Sequence, residues 1–359
     1  MSSKTIEKRF DAMKTAIAIL ISLVLSFALV AIVSDDPAEA LQTFALGPLS
    51  NLRRMGNVIE LTIPLTFAGV AVSIMYSANQ FSMITQSTIY AGACIGSWFA
   101  IYVTLPKGLH SAFVILMAGI VGMVLAAIPA IMKVKWQASE VVSSIMINYI
   151  IMQFTLWFLL NVYKDPTAGF NCSYKFKESA RLTKIVTGTR IHTGLFVCIA
   201  AVIFGYIFLY KTKWGYAIRV VGQNQEFARY SGIAVASVMI YSQVIGGLIG
   251  GIGGGVEIMG LFQRYTWEAP PSYGNDGLMV GILAKYNPLF VPFAALFLAY
   301  IRTGADIMSR ITDVPVEFVN ILQGVVIMLV AAEMFLAKWK HKLIVKNAQK
   351  QEIAKEAAK

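Results

Sequence analysis

A small set of acidic and amide side chains lies inside the long apolar runs of this sequence. They are Glu60, Asn148, Gln153, Gln243, Glu257, Asn320, Gln323 and Glu333. Polar groups in such runs are costly, so they face other protein, water or a polar solute. These side chains could bind a solute that crosses a membrane, or they could hydrogen-bond one helix to another. Glu60 has the strongest functional interpretation, because an unpaired buried carboxylate costs more than an unpaired amide.

The sequence contains none of the common motifs for covalent catalysis or nucleotide hydrolysis. It has no P-loop, no G-x-S-x-G and no H-E-x-x-H. Its cysteines and histidines are dispersed without metal-ligand spacing: Cys94, Cys172, Cys198, His110, His192 and His341. We therefore expect no catalytic residues, no cofactor and no metal site. If this chain moves a solute actively, the energy comes from an ion gradient or from another subunit.

Composition indicates an integral membrane protein. Of 359 residues, 57% are hydrophobic and only 14% are charged, and the mean hydropathy is +0.67. A soluble domain carries about 25% charged residues, whereas several runs here reach the ~20 residues that cross a bilayer as a helix. The net charge of +11 is attributed to lysines near lipid headgroups rather than to nucleic acid binding.

The apolar runs predict an all-α, polytopic membrane bundle of about ten transmembrane helices, including short or re-entrant segments. The predicted spans are 15–33, 57–76, 88–104, 111–131, 143–163, 192–210, 237–256, 277–285, 288–304 and 318–337. The first run is interpreted as a retained span, because it is too long for a signal-peptide core and no small-residue cleavage site follows directly. The break between the two short segments is placed at Asn287-Pro288.

Loop charges predict the orientation. A basic segment at 1–14 and a lysine-rich tail at 338–359 place both termini in the cytoplasm, which requires an even number of crossings. This count puts the basic loop 164–191 outside. Either the count is wrong nearby, or the loop meets an acidic partner on the outer face. The same count puts the segment 211–236 inside.

The run "GGLIGGIGGGVEIMG" carries glycines four residues apart, at 246, 250 and 254 and again at 247, 251 and 255. Such small-residue faces let helices pack closely in lipid. A tightly packed helix crossing is therefore expected, and a helix that slides or tilts during transport is the alternative. The run lacks the context of a dinucleotide site.

The segment 211–236 is amphipathic and basic although it lies between two predicted spans. Phe227, Tyr230 and Ile233 recur at i, i+3 and i+6, so they can share one apolar face. Such a face is typical of a helix that docks in a groove of a partner. A helix that lies on the lipid surface is the alternative.

The stretch "GYAIRVVGQNQEFARYSGI" resembles the cytoplasmic coupling loop of bacterial ABC importer permeases of the simple-sugar and nucleoside branch. Seven residues match that pattern: Gly215, Arg219, Gly222, Asn224, Ala228, Gly232 and Ile233. Gln225 replaces the usual Pro and Phe227 the usual first Ala. The resemblance implies that this loop docks on the ATPase through Asn224, Glu226, Phe227, Ala228, Arg229 and Gly232.

Further stretches look like the same family in the same order and cover most of the chain. They are "DPAEAL", which resembles a family loop, then "ELTIPLTFAGVAVS", "EVVSSIMINYI" and "YGNDGLMVGILAKYNPLF". The stretch "NQFSMITQSTIYAGA" departs from the family, since Ser82 stands for Asn and Gln86 for Glu. The resemblance places that region near the translocation path, for which we select Glu60, Ser82, Gln86, Asn148 and Asp276.

The resemblance implies a permease subunit of an ATP-driven importer in the bacterial cytoplasmic membrane, working by alternating access. Its transmembrane domain would be 15–337, with 211–236 as the coupling loop. Expected partners are ABC ATPase subunits, a second permease in a heterodimer, a substrate-binding lipoprotein and the bilayer. The length and the long first loop favour nucleosides over ribose. The alternatives are a stand-alone secondary transporter and a membrane protein without a transport role, such as a scaffold or an intramembrane enzyme.

Overall fold

The computed structural model describes residues 36–315 together with 321 and 324. The predicted spans 15–33 and 318–337, both terminal segments and the side chains of Asn320, Gln323 and Glu333 lie outside the described residues. Between residues 36 and 315 the chain forms eleven α-helices, and its β pairing is limited to two isolated bridges. The all-α prediction is confirmed for this part of the protein.

The helices are α1 (Pro37–Leu46), α2 (Leu52–Tyr76), α3 (Thr85–Tyr102), α4 (Leu109–Trp136), α5 (Glu140–Val162), α6 (Gly194–Lys211), α7 (Lys213–Gln223), α8 (Gln225–Tyr230), α9 (Val235–Leu261), α10 (Tyr273–Leu283) and α11 (Val291–Ile311). Six of them, α2, α4, α5, α6, α9 and α11, are long and apolar enough to cross a bilayer. These six coincide with six of the predicted spans.

Two predicted spans correspond to shorter or more polar helices. The predicted span 88–104 lies on α3, which has 18 residues and is not among the six candidates. The predicted span 277–285 lies on α10, whose 11 residues are too few to cross a bilayer. The count of about ten crossings therefore remains a prediction, whereas the break near Asn287-Pro288 is present between α10 and α11.

The stretch "DPAEAL" forms the start of α1 rather than a loop, which corrects the expectation. The Asp36 side chain accepts a hydrogen bond from the backbone N–H of Glu39 at 3.1 Å, and Pro37 occupies the first turn. A capping Asp followed by Pro is a strong signal for the beginning of a helix. The sequence alone therefore indicates that a helix begins here, whereas the family resemblance indicates a loop.

The described residues divide into two compact units, one over 48–303 and a second that contains the described residues up to 47 and from 304 onward. In the first unit α9 packs against α2, α3 and α4, and α2 also packs against α6 and α10. In the second unit, α1 approaches the end of α11 closely, since a Cβ on Gly304 would overlap the carbonyl oxygen of Phe44.

The glycines of α9 allow its close approach to three neighbouring helices. A Cβ on Gly247 would overlap the carbonyl oxygen of Gly122 in α4, and one on Gly254 would overlap that of Ile89 in α3. On another side of α9, Gly246 meets Met75 of α2. The glycine-rich run is therefore a packed helix crossing, as expected.

Candidate functional site

The first turns of helices α3 and α10 meet. The Gln86 side chain of α3 accepts hydrogen bonds from the backbone N–H groups of Gly274 (2.8 Å) and Asn275 (3.3 Å) of α10. Its amide nitrogen donates to the carbonyl of Pro271 at 2.5 Å. The first N–H groups of a helix have no partner in the helix itself, so Gln86 acts as a cap supplied by another helix.

Gly274 permits this contact because a Cβ at that position would overlap the backbone of Gln86. Where short helices begin within a membrane protein, the backbone N–H groups of their first turns give that end a partial positive charge. In transporters such ends are used to bind solutes. The expected pathway residue Gln86 thus lies at a place of the right kind, although its own side-chain groups are used inside the protein.

Asn148 joins α5 to the other side of the first turn of α3. Its amide nitrogen donates to the carbonyl of Met83 at 3.0 Å, and its oxygen accepts a short hydrogen bond from the hydroxyl of Ser87. The backbone N–H of Met83 donates to Ser144 at 2.9 Å. Ser82 is buried and accepts locally from the N–H of Ile84 at 3.3 Å. These residues fix the entry of the chain into α3.

Asp276 forms a buried ion pair that the sequence interpretation missed. A guanidinium nitrogen of Arg302 in α11 lies 2.6 Å from a carboxylate oxygen of Asp276. It also donates a hydrogen bond to the hydroxyl of Ser272 at 3.0 Å. The Asp276 side chain is only 5% exposed and that of Arg302 is 24% exposed. Arg302 lies inside the predicted span 288–304, and an arginine in a span is itself a signal of a functional or paired site.

Glu60 of α2 faces Glu257 of α9, and the two carboxyl groups are within hydrogen-bonding reach of each other. The hydroxyl of Tyr273, the first residue of α10, donates to Glu257 at 3.2 Å. Glu60 is 5% exposed and Glu257 is fully buried. Glu257 and Tyr273 are therefore site residues that had not been selected.

We give the name buried polar region to a set of buried and partly buried side chains together with the exposed Ser272. Its members are Glu60, Ser82, Gln86, Ser87, Asn148, Glu257, Ser272, Tyr273, Asp276 and Arg302. It contains all five residues selected for the pathway. Glu60, Gln86 and Asp276 lie around the start of α10, and Ser82 and Asn148 around the start of α3. The two groups join at the consecutive residues Gln86 and Ser87. Their role in translocation stays a prediction.

The segment 211–236, which we call the coupling segment, folds as α7 and α8 with Asn224 between them. The Thr212 hydroxyl accepts from the N–H of Gly215 at 3.0 Å and caps α7. Asn224 ends α7, and its side chain accepts from the N–H of Phe227 at 3.0 Å to begin α8. Ser, Thr, Asn and Asp favour this capping position because their oxygens reach the free N–H groups.

Helix α8 ends in a glycine turn. The N–H of Gly232 bonds to the carbonyl of Arg229 at 3.1 Å, and the N–H of Ile233 bonds to that of Ala228 at 3.0 Å. Gly232 has φ of +79°. These two bonds with a left-handed residue form a Schellman motif, which selects glycine. Among the selected coupling residues, Asn224 and Gly232 thus shape the helix itself.

The apolar side chains of α8 point away from the protein. Phe227 is 60% exposed and Tyr230 is 89% exposed. Ile233 is partly buried, whereas Ala228 is fully buried. Glu226 and Arg229 form an exposed pair at 3.3 Å, which contributes little on its own. The prediction that Phe227, Tyr230 and Ile233 share one helical face is correct only for the two aromatic residues, because α8 ends at Tyr230 and Ile233 follows the glycine turn.

The coupling segment is attached to the helical core at defined points. Ile218 and Val221 of α7 are buried, and a Cβ on Gly222 would overlap the carbonyl oxygen of Ser77 at the end of α2. The hydroxyl of Tyr241 in α9 donates to the carbonyl of Trp214 at 3.0 Å. Helix α7 therefore contacts the end of α2 and, through Trp214, helix α9, which are the two helices that carry Glu60 and Glu257.

The loop 164–191 uses several of its charges within the protein. Asp165 pairs with Arg264 at 2.5 Å, and the Lys177 ammonium donates to the carbonyl of Val103 at 3.0 Å. Hydrogen bonds from the hydroxyl and N–H of Thr167, followed by the Arg264 guanidinium, hold the pKa of Asp165 below its usual range. Some of the charged side chains of this loop thus make contacts within the protein. The side of the membrane on which the loop lies stays a prediction.

The chain matches the family described as branched-chain amino acid transport system / permease component over residues 54–331. It is 27% identical to the glucose ABC transporter permease TsgB13 of Haloferax volcanii, over 85% of this chain and 83% of the relative. It is 25% identical to the nucleoside ABC transporter permease NupB of Lactococcus lactis, over 88% and 91%. It is 26% identical to the guanosine ABC transporter permease NupP of Bacillus subtilis, over 88% and 92%.

Two of these species contribute a second similar protein. The chain also matches the nucleoside ABC transporter permease NupC of Lactococcus lactis at 23% identity and the guanosine ABC transporter permease NupQ of Bacillus subtilis at 26%. These matches cover 62% and 64% of this chain. No solved structure matches the chain.

Proposed function

The chain belongs to this family of transport permeases, and we propose that it imports nucleosides or related simple sugars through the bacterial cytoplasmic membrane. It is a permease subunit of an ABC transporter, a transport subunit rather than a catalytic one. The observation that carries the proposal is the match over nearly the whole length of permeases named for nucleosides, guanosine and glucose. That match favours an ATP-driven importer over a stand-alone secondary transporter.

We further propose that this chain pairs with a different permease subunit. The supporting observation is that Lactococcus lactis and Bacillus subtilis each have two permeases of one named system that resemble the chain. Two ATPase subunits and a lipid-anchored binding protein would complete the transporter. The binding protein delivers the solute from outside, and the ATPases supply the energy from the cytoplasm.

The proposed coupling contact is α8 on the cytoplasmic side. Two aromatic side chains, Phe227 and Tyr230, are exposed on a helix that is capped at both ends. A rigid helix that presents aromatic anchors suits a groove in a partner protein. Closure of the ATPases would move α8 and α7, and the contact of Gly222 with Ser77 would carry that movement to α2.

The decisive test is uptake by proteoliposomes that contain the purified chain alone or the complete transporter. With the complete transporter we expect guanosine or glucose uptake that needs internal ATP and the ATPase subunits. With this chain alone we expect no uptake under a proton or sodium gradient. Gradient-driven uptake by the chain alone would support the secondary transporter and overturn the proposal.

A further inference from the structure

Helix α5 is only loosely covered by the rest of the described protein. In its most apolar stretch 17% of the residues are buried, the smallest share among the six candidate spans. The exposed residues of α5 from 142 to 161 recur at helical spacing on one side, which we call the outer face of α5. They include Met146, Tyr149, Ile150, Gln153, Trp157 and Asn161. Another side of the helix packs on the protein, where Ser144 and Asn148 bond to Met83 at the start of α3.

Two polar side chains lie in the middle of the outer face. Tyr149 is 67% exposed, and Gln153, one turn further along, is also exposed. Tyr149 lies nine residues after Glu140, the first residue of α5, and Gln153 lies nine residues before Val162, the last one. Nine residues are about 13 Å of helix, so both polar groups lie well inside an apolar layer that is about 30 Å thick.

Neither polar group is satisfied within residues 36–315, where no hydrogen bond joins the side chain of Tyr149 or Gln153 to another residue. A hydroxyl or an amide that faces lipid without a partner loses the hydrogen bonds that it makes with water. Polar side chains in membrane spans therefore face other protein or water rather than lipid tails. The outer face of α5 thus calls for a cover that supplies hydrogen bonds in the middle of the bilayer.

Two other spans show what a face towards lipid looks like in this protein. The exposed residues of α6 from Phe196 to Ile207 are all phenylalanine, isoleucine or alanine. The exposed residues of α4 between 112 and 128 are all alanine, leucine, isoleucine or valine. These faces suit lipid tails without any partner, so the two polar groups distinguish the outer face of α5 from them.

A second permease subunit is the occupant that fits this position. In the proposed transporter the ATPases approach from the cytoplasm and the binding protein from outside, so neither reaches the middle of a span. A second permease has helices at the same depth, and polar side chains hydrogen-bond between helices in membranes. Two systems, in Lactococcus lactis and Bacillus subtilis, each have two permeases that resemble this chain.

We propose that the outer face of α5 is the surface through which this chain meets the second permease subunit. Gln153 and Tyr149 form hydrogen bonds to polar groups of that subunit, and Met146 and Trp157 pack around them. The inference rests on the proposed function, and it adds to the pairing of two permeases the surface on which they pair.

Photo-crosslinking in membranes that contain the complete transporter tests the surface. The crosslinking amino acid p-benzoylphenylalanine replaces Tyr149 in one variant and Phe204 in the matched control, since both are exposed aromatic residues in the middle of a span. Mass spectrometry identifies what is bound after irradiation. We expect an adduct with the second permease from position 149 and none from position 204.

Every other pattern of adducts overturns the inference. It falls if position 149 reacts only with lipid, with another segment of the same chain or with a second copy of this chain. It also falls if position 204 reacts with the second permease as well as position 149 does.

The affinity between the two purified permeases in detergent tests the hydrogen bonds. Gln153→Leu should weaken the association by about three- to tenfold, the range for one hydrogen bond between helices in a membrane. Ile203→Leu on α6 is the matched control and should leave the affinity unchanged. An affinity of Gln153→Leu equal to that of the control would overturn the role of Gln153. If Gln153→Leu does not fold, Tyr149→Phe removes only a hydroxyl group, and association as tight as in the control then overturns the inference.

Failure of the proposed function has a different result. If the tagged original chain co-purifies with no second permease, the proposed pairing falls, and the inference falls with it. If the second permease co-purifies but forms adducts with α6 instead of α5, only the inference falls.

Discussion

The buried polar region and the coupling segment satisfy their polar groups in opposite ways. In the buried polar region, polar groups of different helices bond to one another across long stretches of sequence. The Gln86 side chain accepts from the backbone N–H of Gly274, and Arg302 pairs with Asp276. In the coupling segment, Thr212, Asn224 and Gly232 satisfy backbone groups within a few residues of themselves.

This difference fits solute recognition, which is proposed for the buried polar region, and force transfer, which is proposed for the coupling segment. The coupling segment needs no other helix to be shaped, so its aromatic side chains remain free for a partner. The buried polar region is shaped only when six helices are in place, so it responds to any rearrangement of those helices. We propose that a movement of the coupling segment alters the buried polar region through α2 and α9.

The largest effect is expected from breaking the Asp276–Arg302 pair. Asp276→Leu leaves the Arg302 charge without its partner, and we expect a loss of about 4 kcal/mol in stability. The double variant Asp276→Leu with Arg302→Met should recover most of that loss, because both charges are removed. Thermal unfolding of the purified protein in detergent measures both. A double variant no more stable than the single one would show that the pair is not the source of the loss.

Removing an exposed aromatic side chain of the coupling segment should weaken docking of the ATPase and have little effect on the stability of the protein. Phe227→Ala should weaken binding of the ATPase by about 2 kcal/mol, the range of an aromatic anchor, and leave thermal unfolding unchanged. Tyr216→Ala is the matched control, since Tyr216 of α7 is 58% exposed. Co-purification with the ATPase subunit and ATP-driven uptake provide the measurements. ATPase retention equal to that of the control would argue against α8 as the docking helix.

The smallest effect is expected at the end of α8. Gly232→Ala forces a side chain into φ of +79° and should cost about 1 kcal/mol. Gly232→Asn should cost less, because Asn tolerates the left-handed conformation. No atom lies within 4 Å of a Cβ added there, so any loss comes from the backbone. Thermal unfolding of the two variants distinguishes them, and equal losses would rule out the conformational cause.

The sequence was sufficient for features that depend on local patterns. The six long apolar runs, the close crossing of α9 at its glycines and the break near Asn287-Pro288 were all predicted. The apolar face of α8 was predicted only in part, because Ile233 lies beyond the end of that helix. The signals were hydrophobic length, small-residue spacing and helical periodicity, which act within one segment. The beginning of α1 could also have been predicted from local residues, because Asp36 caps it and Pro37 occupies its first turn.

The sequence was insufficient for pairings between distant segments. Nothing local to Glu60 indicates that Glu257 faces it, and nothing local to Gln86 indicates that it caps α10 from 188 residues away. Arg302 was a missed signal rather than a hidden one, because a lone arginine in a span needs a partner. Whether α3 and α10 cross the bilayer stays a prediction, because apolar length alone does not show where a short helix begins and ends in a membrane.

The central claim is that α8 faces the cytoplasm and is covered by the ATPase. The three native cysteines are all buried, so Ser231→Cys at the exposed end of α8 introduces one accessible thiol. Gly169→Cys, placed where nothing lies within 4 Å, is the matched control in the loop 164–191. Each variant is labelled with a membrane-impermeant maleimide in inside-out and right-side-out vesicles, with and without the ATPase. The labelling shows on which side of the membrane the thiol lies and whether the bound ATPase shields it. We predict that the thiol of the Ser231→Cys variant reacts only in inside-out vesicles and only without the ATPase, whereas reaction from the outside, or reaction unaffected by the bound ATPase, would contradict the account.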